Sequence, residues 1–453
     1  MIKRSLKQIA EMIGIEYSNQ IIEIEGVSID SRHVQKGNLF IPFKGENTDG
    51  HVYVEKAIAN GAAAALWQMD VPNPPEHLPI LLVEDTLKAL QVLSEKYLQQ
   101  ANAKVVGITG SNGKTTTKDI TASLLSQQYK VHKTEGNFNN HLGLPLTILS
   151  MEEDTEIVIL EMGMSNRGEI ELLSKLARPD VAVITNIGEA HLLDLGSREA
   201  IADAKLEITA GLKEDGVVIY HGDEPLLSKK LLKNSYTTRS FGRAETNDMY
   251  PTYIESVGNG TQFTTNLYKK EMALPILGNH NVLNALAAML VAREFQLTSD
   301  QISKGLSQLK VTNMRMEMVE GIKGEKIIND AYNASPTSMN AAIELVASLT
   351  GFHRKYLVLG DMLELGEEEV QFHEKIGRSI QSNEIDKLFT YGELGAHIAI
   401  GAEKTIGKDN VYAFLDKGEL VEELKKHVGE NDLILVKASR GMKLEEVVQA
   451  LCN

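Results

Sequence analysis

Short apolar runs alternate with helical patterns through the middle of the chain. The runs at residues 104–109, 156–161, 180–185 and 216–220 are rich in β-branched residues and bounded by polar positions or glycine, which is typical of buried strands. Segments with helical periodicity lie between them, beginning with residues 119–128. Because continuously apolar strands that alternate with helices form parallel sheets covered on both faces, this region predicts an α/β unit.

Similar patterns precede and follow this unit. A proline-rich connection at residues 71–79 comes before a predicted strand at 80–83 and a predicted helix at 86–100. A long helix is predicted over residues 278–295, and a second alternation follows it, with strands at 326–330, 355–360, 387–391 and 432–436. We therefore expect three α/β domains, at residues 1–85, 86–310 and 311–453.

Composition narrows the possible partners. The chain has 453 residues, 43% hydrophobic residues and a net charge of -16, as expected for a globular protein that binds neither nucleic acid nor an anionic membrane surface. Its one cysteine, Cys452, excludes an internal disulfide and fits a reducing cytoplasm. Residues 1–17 have a charged amphipathic helical pattern unlike a signal peptide. No apolar run approaches the roughly 20 residues that span a bilayer. We expect a cytoplasmic protein without membrane insertion.

The sharpest local signal is GITGSNGKTTT, residues 107–117, between a predicted strand and a helix. Gly110 and Gly113 allow a tight turn that brings backbone N–H groups to phosphate oxygens. Lys114 can reach the terminal phosphates, and the Thr115 hydroxyl can bind Mg²⁺. The spacing departs from the common phosphate-loop pattern, since Ile108 stands where the first glycine is usual. The motif indicates nucleotide binding without separating a kinase, a GTPase, a ligase and a nucleotide-gated binding protein; the alternative is a glycine-rich turn with an exposed lysine.

Two further residues lie at or after the ends of predicted strands, at the sheet edge where parallel sheets bind ligands. Glu161 ends the second strand, and His191 follows the third within NIGEAH. Each could instead be an ordinary loop residue. Lys205 lies in a helical segment between Asp203 and Glu207, where a solvated helix face is the simpler interpretation.

Several segments together resemble the Mur ligases, which add amino acids to the peptide of the peptidoglycan precursor. The central domain is represented by ITGSNGKTTTK, EGNFNNHLGLPLTIL, LEMGMSNRGEI and NIGEAHLLDLGS with AKLEI. IDSRHVQKGNLFIPFKGENTDGHVYVEKAIANGA resembles the family's nucleotide-sugar-binding domain. NDAYNASPTSMNAAI, VLGDMLELGEEEVQFHEKIG and LVKASRGMKLEEV are similar to a Rossmann-like last domain, in the member that adds D-alanyl-D-alanine. The Asn-Pro-Arg type motif of the member that adds the third amino acid is absent from the sequence.

The resemblance implies an ATP-dependent amide ligase that forms an acyl phosphate and then transfers the acyl group to an amine. It implies that Lys114 holds the β- and γ-phosphates and that Thr115 and Glu161 bind one Mg²⁺. His191 resembles the ligand of a second Mg²⁺. Lys205 matches a lysine that the family carbamylates, which would turn a cation into an oxygen ligand for Mg²⁺.

The resemblance also implies the rest of the ATP site. Asn281 and Asn284 lie in an adenine-contacting segment, Arg315 meets the γ-phosphate region from a hinge, and Asp330 binds the ribose. The expected phosphate-loop contacts are Thr109, Gly110, Ser111, Asn112, Gly113 and Thr116.

The implied substrates are UDP-N-acetylmuramoyl-tripeptide and D-alanyl-D-alanine. The residues expected to contact them are Ser31, Arg32, Lys44, Thr48, Asp49, His51, Asn137, Asn139, Asn140, Asn333, Lys437, Ser439 and Arg440. Among them, Arg32 and Lys44 suit a diphosphate, because Arg offers a fork of donors and Lys a point charge. We expect a monomer. Three alternatives stay open: a family member with another amine, a nucleotide-gated binding protein without ligation, and a simple phosphate-loop kinase.

Overall fold

Three sheets with parallel cores, one in each predicted domain, organise the chain. The computed structural model describes residues 1–17, 21–45, 48–232 and 234–453. The predicted fold class, a three-domain α/β protein, is confirmed. Every predicted strand is present within one residue of its predicted ends, because each is an apolar run bounded by polar residues or glycine.

The N-terminal part joins a two-stranded antiparallel ribbon, β1–β2, to four parallel strands in the order β3–β4–β5–β6. Its elements are β1 (Lys3–Ser5), α1 (Leu6–Met12), β2 (Glu23–Glu25), β3 (Val27–Ser28), β4 (Leu39–Phe40), α2 (Val54–Ala59), β5 (Ala64–Gln68) and β6 (Ile80–Val83).

The helix predicted within residues 1–17 is shorter than expected, because a strand precedes it. Ser5 ends that strand and caps α1, accepting the N–H of Gln8 while the Gln8 side chain accepts the N–H of Ser5 at 2.9 Å. This reciprocal pair is a capping box, so the start of the helix is determined locally.

The central sheet is fully parallel, in the order β12–β11–β10–β7–β9–β8. The helices and strands of the central part of the chain are α3 (Thr86–Ala101), β7 (Lys104–Thr109), α4 (Lys114–Leu125), β8 (Val131–Lys133), α5 (Gly143–Ser150), β9 (Ile157–Glu161), α6 (Glu169–Ala177), β10 (Val181–Ile184), α7 (Leu192–Leu195), α8 (Arg198–Leu206), β11 (Val217–His221), α9 (Pro225–Leu231), β12 (Thr237–Phe241), β13 (Pro251–Val257), β14 (Gly260–Thr265), β15 (Met272–Leu274), α10 (Asn279–Glu294) and α11 (Ser299–Ser307). Since β7 lies between β9 and β10, the loop after β7 meets the loops that follow both neighbours.

The central part also contains a three-stranded antiparallel sheet, β13–β14–β15, that the sequence pattern did not predict. Strand β13 is mostly exposed, so it has no continuous apolar run. The helix predicted at residues 119–128 begins earlier, at Lys114, because α4 starts directly at the end of the glycine-rich loop.

The C-terminal sheet has the order β16–β17–β21–β18–β19–β20, and only its edge strand β16 is antiparallel. Its elements are β16 (Glu317–Glu320), β17 (Lys326–Asn329), α12 (Pro336–Ser348), β18 (Lys355–Gly360), α13 (Glu369–Ser379), β19 (Lys387–Tyr391), α14 (Gly395–Ile406), β20 (Val411–Phe414), α15 (Lys417–His427), β21 (Leu433–Lys437) and α16 (Glu445–Cys452).

Hydrophobic clusters cover both faces of the central sheet. One cluster joins N-terminal residues such as Ile2 and Leu66 to central residues such as Leu160. The second packs α4, α10 and α11 against the opposite face. Fully burying side chains of this kind contributes about 1.5–3 kcal/mol each. The first cluster crosses residue 85, so the N-terminal part is packed firmly against the central domain.

Candidate functional site

A cavity lies at the carboxyl edge of the central sheet, between the loop after β7 and the C-terminal domain. Its volume is about 500 Å³. Of the residues predicted for the site, those that line it are Ser111, Asn112, Gly113, Lys114, Thr115, Thr116, Asn139, Asn140, Glu161, His191, Asn281, Asn284, Arg315, Asp330, Asn333 and Lys437. Residues from two domains therefore meet around one space at a sheet edge, where open α/β sheets bind ligands.

Glycine is required at two positions of the loop. Gly110 has φ +145°, and a Cβ there would lie 1.8 Å from the Thr185 hydroxyl oxygen. Gly113 has φ +80°, and a Cβ there would lie 2.4 Å from Oδ1 of Asn284. The loop can therefore approach β10 and α10 this closely only without side chains at these positions.

Asn186, which sequence reasoning did not single out, holds the loop in place. Its carbonyl oxygen accepts the N–H of Ser111 at 3.1 Å, and its Oδ1 accepts the N–H of Asn112 at 2.9 Å. The Thr185 hydroxyl donates to the Asn112 carbonyl at 2.6 Å. These two backbone N–H groups are thus used inside the protein, which leaves the first N–H groups of α4 to meet a phosphate.

Lys114 extends back over its own loop. Its Nζ donates to the carbonyl oxygens of Gly110 at 2.8 Å and Ser111 at 3.4 Å. Burial lowers the pKa of Lys114; Glu161 opposes this shift and Arg315 adds to it. An ammonium group bonded only to carbonyl oxygens, beside another cation, is in an environment that favours an anionic ligand.

Thr115 and Glu161 lie side by side in the cavity. The Thr115 hydroxyl donates to Oε2 of Glu161 at 2.9 Å, and the Asn139 amide donates to Oε1 at 2.9 Å. Glu161 is only 3% exposed. One hydroxyl and one carboxylate oxygen within 2.9 Å are oxygen donors of the kind that Mg²⁺ prefers.

His191 lines the same cavity from the loop after β10. It has a left-handed backbone, with φ 65°, and comes directly before α7. Its Nδ1 lies 2.9 Å from Oε2 of Glu364 in the C-terminal domain, although the two groups are not aligned as a hydrogen bond. Burial, with added repulsion from Lys205 and Lys114, lowers the pKa of His191 to about 4. The ring is therefore neutral near pH 7 and can act as a metal ligand.

Lys205 does not lie on a solvated helix face. It is 1% exposed, and its Nζ finds no hydrogen-bond partner among the described residues. Burial, with repulsion from Lys114, lowers the pKa of Lys205 well below its usual value. Lys205 does not line the cavity, but it is close enough to His191 to affect the pKa of that ring. A buried unpaired amine costs free energy unless it becomes neutral or is modified.

The donor set fits Mg²⁺ only if hydroxyl and carbamate oxygens are included. Within residues 1–17, 21–45, 48–232 and 234–453, no group of three or more His, Cys, Asp or Glu side chains could hold a metal ion. Thr115 with Glu161 forms one partial oxygen site, and His191 lies near the orphaned amine of Lys205. A carbamate on that amine would supply the oxygen that the second group lacks.

Arg315 approaches the loop from a segment with a strained backbone. Met314 and Met316, on either side of it, both have left-handed backbones, with φ 60° and 53°. The Arg315 guanidinium lies 3.4 Å from the Thr115 hydroxyl oxygen and 4.0 Å from the centre of the Tyr332 ring, in a cation–π contact. Strain of this kind costs about 1–3 kcal/mol per residue and persists only where the surroundings enforce it.

Asn281 and Asn284 meet the loop at the start of α10. The Asn284 amide donates to Oδ1 of Asn281 at 3.1 Å, and the Asn281 amide donates to the Leu277 carbonyl at 2.7 Å. His280 and His221 line this end of the cavity as well. Burial lowers the pKa of His280 to about 4, and Asp330 opposes the shift. His221 was not predicted as a site residue. It is the last residue of β11, and its position at the carboxyl end of a predicted strand could have indicated a place at the site.

Asp330 and Lys437 form an ion pair at the carboxyl ends of adjacent strands. Asn329 pairs with Val436 in the sheet, so the next residues face each other. Lys437 Nζ donates to Oδ2 of Asp330 at 2.5 Å and to the Asn333 carbonyl at 2.9 Å. Lys437, expected at the substrate, is 2% exposed and engaged with the residue expected at the ribose.

Ser439 and Arg440 differ from expectation, since neither lines the cavity. The Ser439 hydroxyl accepts the N–H of Leu363 at 2.9 Å inside the C-terminal domain. Arg440 turns to Glu445, with Nη1 to Oε1 at 2.8 Å. Both side chains have partners within the C-terminal domain, and the Arg440 guanidinium also lies 5.9 Å from the centre of the Tyr332 ring, which lines the cavity.

Four other predicted contacts also have structural partners or lie off the cavity. The Thr109 hydroxyl donates to the Met162 carbonyl at 2.8 Å, and Gly110 contributes its turn without lining the space. Asn140 lines the cavity, but its Oδ1 accepts the N–H groups of Leu142 and Gly143. Asn137 is exposed and lies outside the cavity.

The predicted precursor residues of the N-terminal part lie outside this cavity. Arg32 is exposed and paired with Asp30 at 2.7 Å, and Lys44 is paired with Asp70 at 2.6 Å. The Thr48 carbonyl accepts the N–H of Gly45 at 3.0 Å.

The other three predicted precursor residues, Ser31, Asp49 and His51, already have hydrogen-bond partners within the N-terminal part. His51 is 3% exposed; its Nε2 accepts the N–H of Gln68 at 3.0 Å, and its Nδ1 contacts Asp49 at 2.6 Å. The Ser31 carbonyl accepts from the Asn60 amide at 2.8 Å. His51 and Asp49 therefore shape the loop, whereas Arg32 and Lys44 are the residues free to change partner.

No helix in the described part of the chain is long and apolar enough to cross a membrane.

Family models match all three parts of the chain in order. Residues 23–98 match the Mur ligase family catalytic domain, residues 108–292 the Mur ligase middle domain, and residues 314–440 the Mur ligase glutamate ligase domain.

Curated relatives match over the full length. The UDP-N-acetylmuramoyl-tripeptide–D-alanyl-D-alanine ligase of Bacillus subtilis (strain 168) is 54% identical, with 100% of this chain and 99% of the relative covered. The ligase of the same name from Escherichia coli (strain K12) is 35% identical over 100% of this chain and 99% of the relative.

Solved structures agree in all three domains. A crystal structure of MurF from Acinetobacter baumannii is similar with a TM-score of 0.89 and 30% identity, covering 100% of this chain and 99% of that one. MurF ligase from Thermotoga maritima, in complex with ADP, has a TM-score of 0.84 and 32% identity, covering 94% of this chain and 97% of that one.

Proposed function

The chain belongs to the Mur ligase family, and from this premise we propose that it joins D-alanyl-D-alanine to UDP-N-acetylmuramoyl-tripeptide with consumption of ATP. The product is the UDP-linked pentapeptide of peptidoglycan synthesis, with ADP and phosphate. The observation that carries the proposal is the single cavity in which Lys114, Glu161 and Arg315 from two domains surround one space. Full-length relatives that bear this ligase name support the substrates.

The reaction begins when the tripeptide carboxylate attacks the γ-phosphate of ATP. An acyl phosphate and ADP form, the dipeptide amine attacks the acyl carbon, and phosphate leaves. Both steps concentrate negative charge, so positioned cations and N–H donors lower the barrier most. Lys114 exchanges its carbonyl partners for phosphate oxygens, the N-terminus of α4 receives the phosphates, and Arg315 approaches from the hinge.

We further propose that Mg²⁺ binds in two places. Thr115 with Glu161 would hold one ion, and His191 with a carbamylated Lys205 would hold the other. When bound, the ions neutralise the charge of the triphosphate and the carboxylate. Lys205 supports this assignment because its Nζ is buried and unpartnered, and a neutral amine is the form that reacts with CO₂. Asn281 and Asn284 are proposed for adenine, and Asp330 for ribose with Lys437 as its partner.

The precursor is proposed to lie along the N-terminal domain, with Arg32 and Lys44 at its diphosphate. We take residues 1–85, 86–310 and 311–453 as the precursor-binding, ATP-binding and C-terminal domains. A monomer in the cytoplasm is the expected state.

A coupled phosphate-release assay with the tripeptide precursor, ATP, Mg²⁺ and D-alanyl-D-alanine tests the function by leaving out one component at a time. We expect release only when all four are present and a product heavier than the precursor by the dipeptide. Faster release with a single amino acid would identify a family member with another amine. ATP binding without release would leave a binding protein, and phosphate transfer without the amine would indicate a kinase.

Lys205→Ala tests the carbamate. We expect a large loss of activity that a short carboxylic acid partly restores, because the acid can place an oxygen where the carbamate stood. Lys213→Ala, at a lysine paired with Asp180 elsewhere in the central domain, is the control. Activity near wild type in Lys205→Ala without added acid would remove the carbamate from the mechanism.

A further inference from the structure

Two strained residues face each other across the interface between the central and C-terminal domains. His191 and Glu364 both have left-handed backbones, with φ 65° and 66°. Neither is a glycine, so each conformation is costly and is enforced by its surroundings. Backbone strain on both sides of the contact indicates that the fold holds these two residues in place against each other.

The contact has a side-chain part and a backbone part. Nδ1 of His191 lies 2.9 Å from Oε2 of Glu364. Two residues further on, the N–H of Leu193 at the start of α7 donates to the Glu364 carbonyl at 3.2 Å. A Cβ on Gly366 would lie 3.4 Å from Cα of Leu193, so the two loops are in close contact.

The Glu364 loop is fixed within its own domain. The N–H of Met362 donates to Nε2 of His373 at 2.9 Å, and the N–H of Leu363 donates to the Ser439 hydroxyl at 2.9 Å. Leu365 is buried, with 2% exposure. Glu364 is therefore held rigidly by the C-terminal domain. Ser439 contributes to this rigidity by accepting the N–H of Leu363, outside the cavity.

We propose that Glu364 is a positioning residue: its carboxylate accepts the Nδ1 proton of His191 across the domain interface and turns Nε2 towards the cavity. This inference rests on the ligase function proposed above. It makes the orientation of the His191 ring depend on contact between the two domains, because the carboxylate belongs to the C-terminal domain. A carboxylate on the outer nitrogen of a metal-binding histidine selects one tautomer and orients the ring.

The first test measures the ring and needs no substrate. Nitrogen-15 NMR of the metal-free, nucleotide-free protein reports which nitrogen of His191 carries the proton, with His191→Gln used to assign the signal. We expect the proton on Nδ1 in the wild type and a shift towards Nε2 in Glu364→Gly, which removes the side chain but tolerates the left-handed backbone. Glu364→Gln keeps an acceptor and should retain the Nδ1 proton.

Glu367→Gln is the matched control, an exposed glutamate on the same loop. Hydrogen exchange at the Leu193 amide should be faster in Glu364→Gly than in this control. In turnover, Glu364→Gly should lower the apparent affinity for Mg²⁺ about 10- to 100-fold, with KM for the tripeptide precursor little changed.

The outcomes are separable. A proton on Nε2 in the wild type, or a Glu364→Gly variant that equals Glu367→Gln in tautomer, amide exchange and Mg²⁺ dependence, would overturn the role of Glu364. Absence of ligation in the wild type would overturn the proposed function instead, while the ring and amide measurements would still decide this inference.

Discussion

The cations that we propose for phosphate binding have opposite environments in the central loop and in the N-terminal domain. At the central loop, Lys114 contacts only carbonyl oxygens, and burial lowers its pKa. In the N-terminal domain, Arg32 and Lys44 are exposed and already paired with Asp30 and Asp70.

The difference has a physical consequence. A partly buried cation without a carboxylate partner raises the free energy of the empty protein, and an anionic ligand offsets that cost on binding. An exposed ion pair has little to recover, because water and the partner already stabilise both charges. We therefore expect the central loop to make strong, fixed contacts with an anionic ligand and the N-terminal pairs to exchange partners at small cost in free energy.

Lys114→Met should separate the two regions most clearly. We expect kcat to fall on the order of 100- to 1000-fold, because a cation at the reacting phosphates is lost. Without nucleotide, the melting temperature should stay the same or rise, since a partly buried charge without a carboxylate partner is removed. Calorimetry and initial rates check this; a fall in melting temperature would mean that Lys114 already has stabilising partners in the empty protein.

Gly110→Ala tests how rigid the central loop is. A Cβ would overlap the Thr185 hydroxyl at 1.8 Å, whereas at Gly258, with φ +58°, no atom lies within 4 Å. A positive-φ penalty of about 1–2 kcal/mol applies to both substitutions. The overlap adds about 1–3 kcal/mol at Gly110 alone. Urea unfolding of both variants measures the difference, and equal losses would show that the loop can yield.

Arg32→Ala should affect binding alone. We expect KM for the UDP-linked precursor to rise about tenfold, as for the loss of a charged hydrogen bond, with kcat unchanged. Lys36→Ala, at an exposed cation of the same domain, is the control. Steady-state kinetics at two salt concentrations would measure the effect. A fall in kcat with unchanged KM would mean that Arg32 acts on the reacting groups and not on precursor binding.

Asp30→Asn should give the smallest effect. Hydrogen bonds from Arg32 lower the pKa of Asp30 in the folded protein. Because the pKa of Asp30 is lower in the folded protein than in the unfolded chain, the charged carboxylate stabilises the fold at pH values above the unfolded-state pKa. This stabilisation is lost as the pH falls towards the folded-state pKa. Because the pair is near the surface, we expect at most about 1 kcal/mol at neutral pH and none in strong acid. Urea unfolding across that pH range checks this, and a larger effect would mean that the pair is structural.

Local patterns in the sequence determined the strands and the phosphate loop. Apolar runs, most of them rich in β-branched residues, predicted nine strands, and the ends of each lie within one residue of the prediction. Other strands were missed, among them the buried β5, whose sequence AALWQ has no β-branched residue. The exposed strand β13 has no such run and was missed. The loop was predictable because glycine, lysine and threonine stand within a few residues of each other, after a strand and before a helix.

The partners of the site residues were decided only by the tertiary structure. The burial of Lys205, the hold of Asn186 on the loop, the Asp330–Lys437 pair and the approach of Glu364 to His191 join residues from different elements or domains. Periodicity and motif spacing describe neighbours along the chain. The pKa of an amine or the orientation of an imidazole depends instead on which distant groups the fold brings within a few ångströms and how much water it excludes.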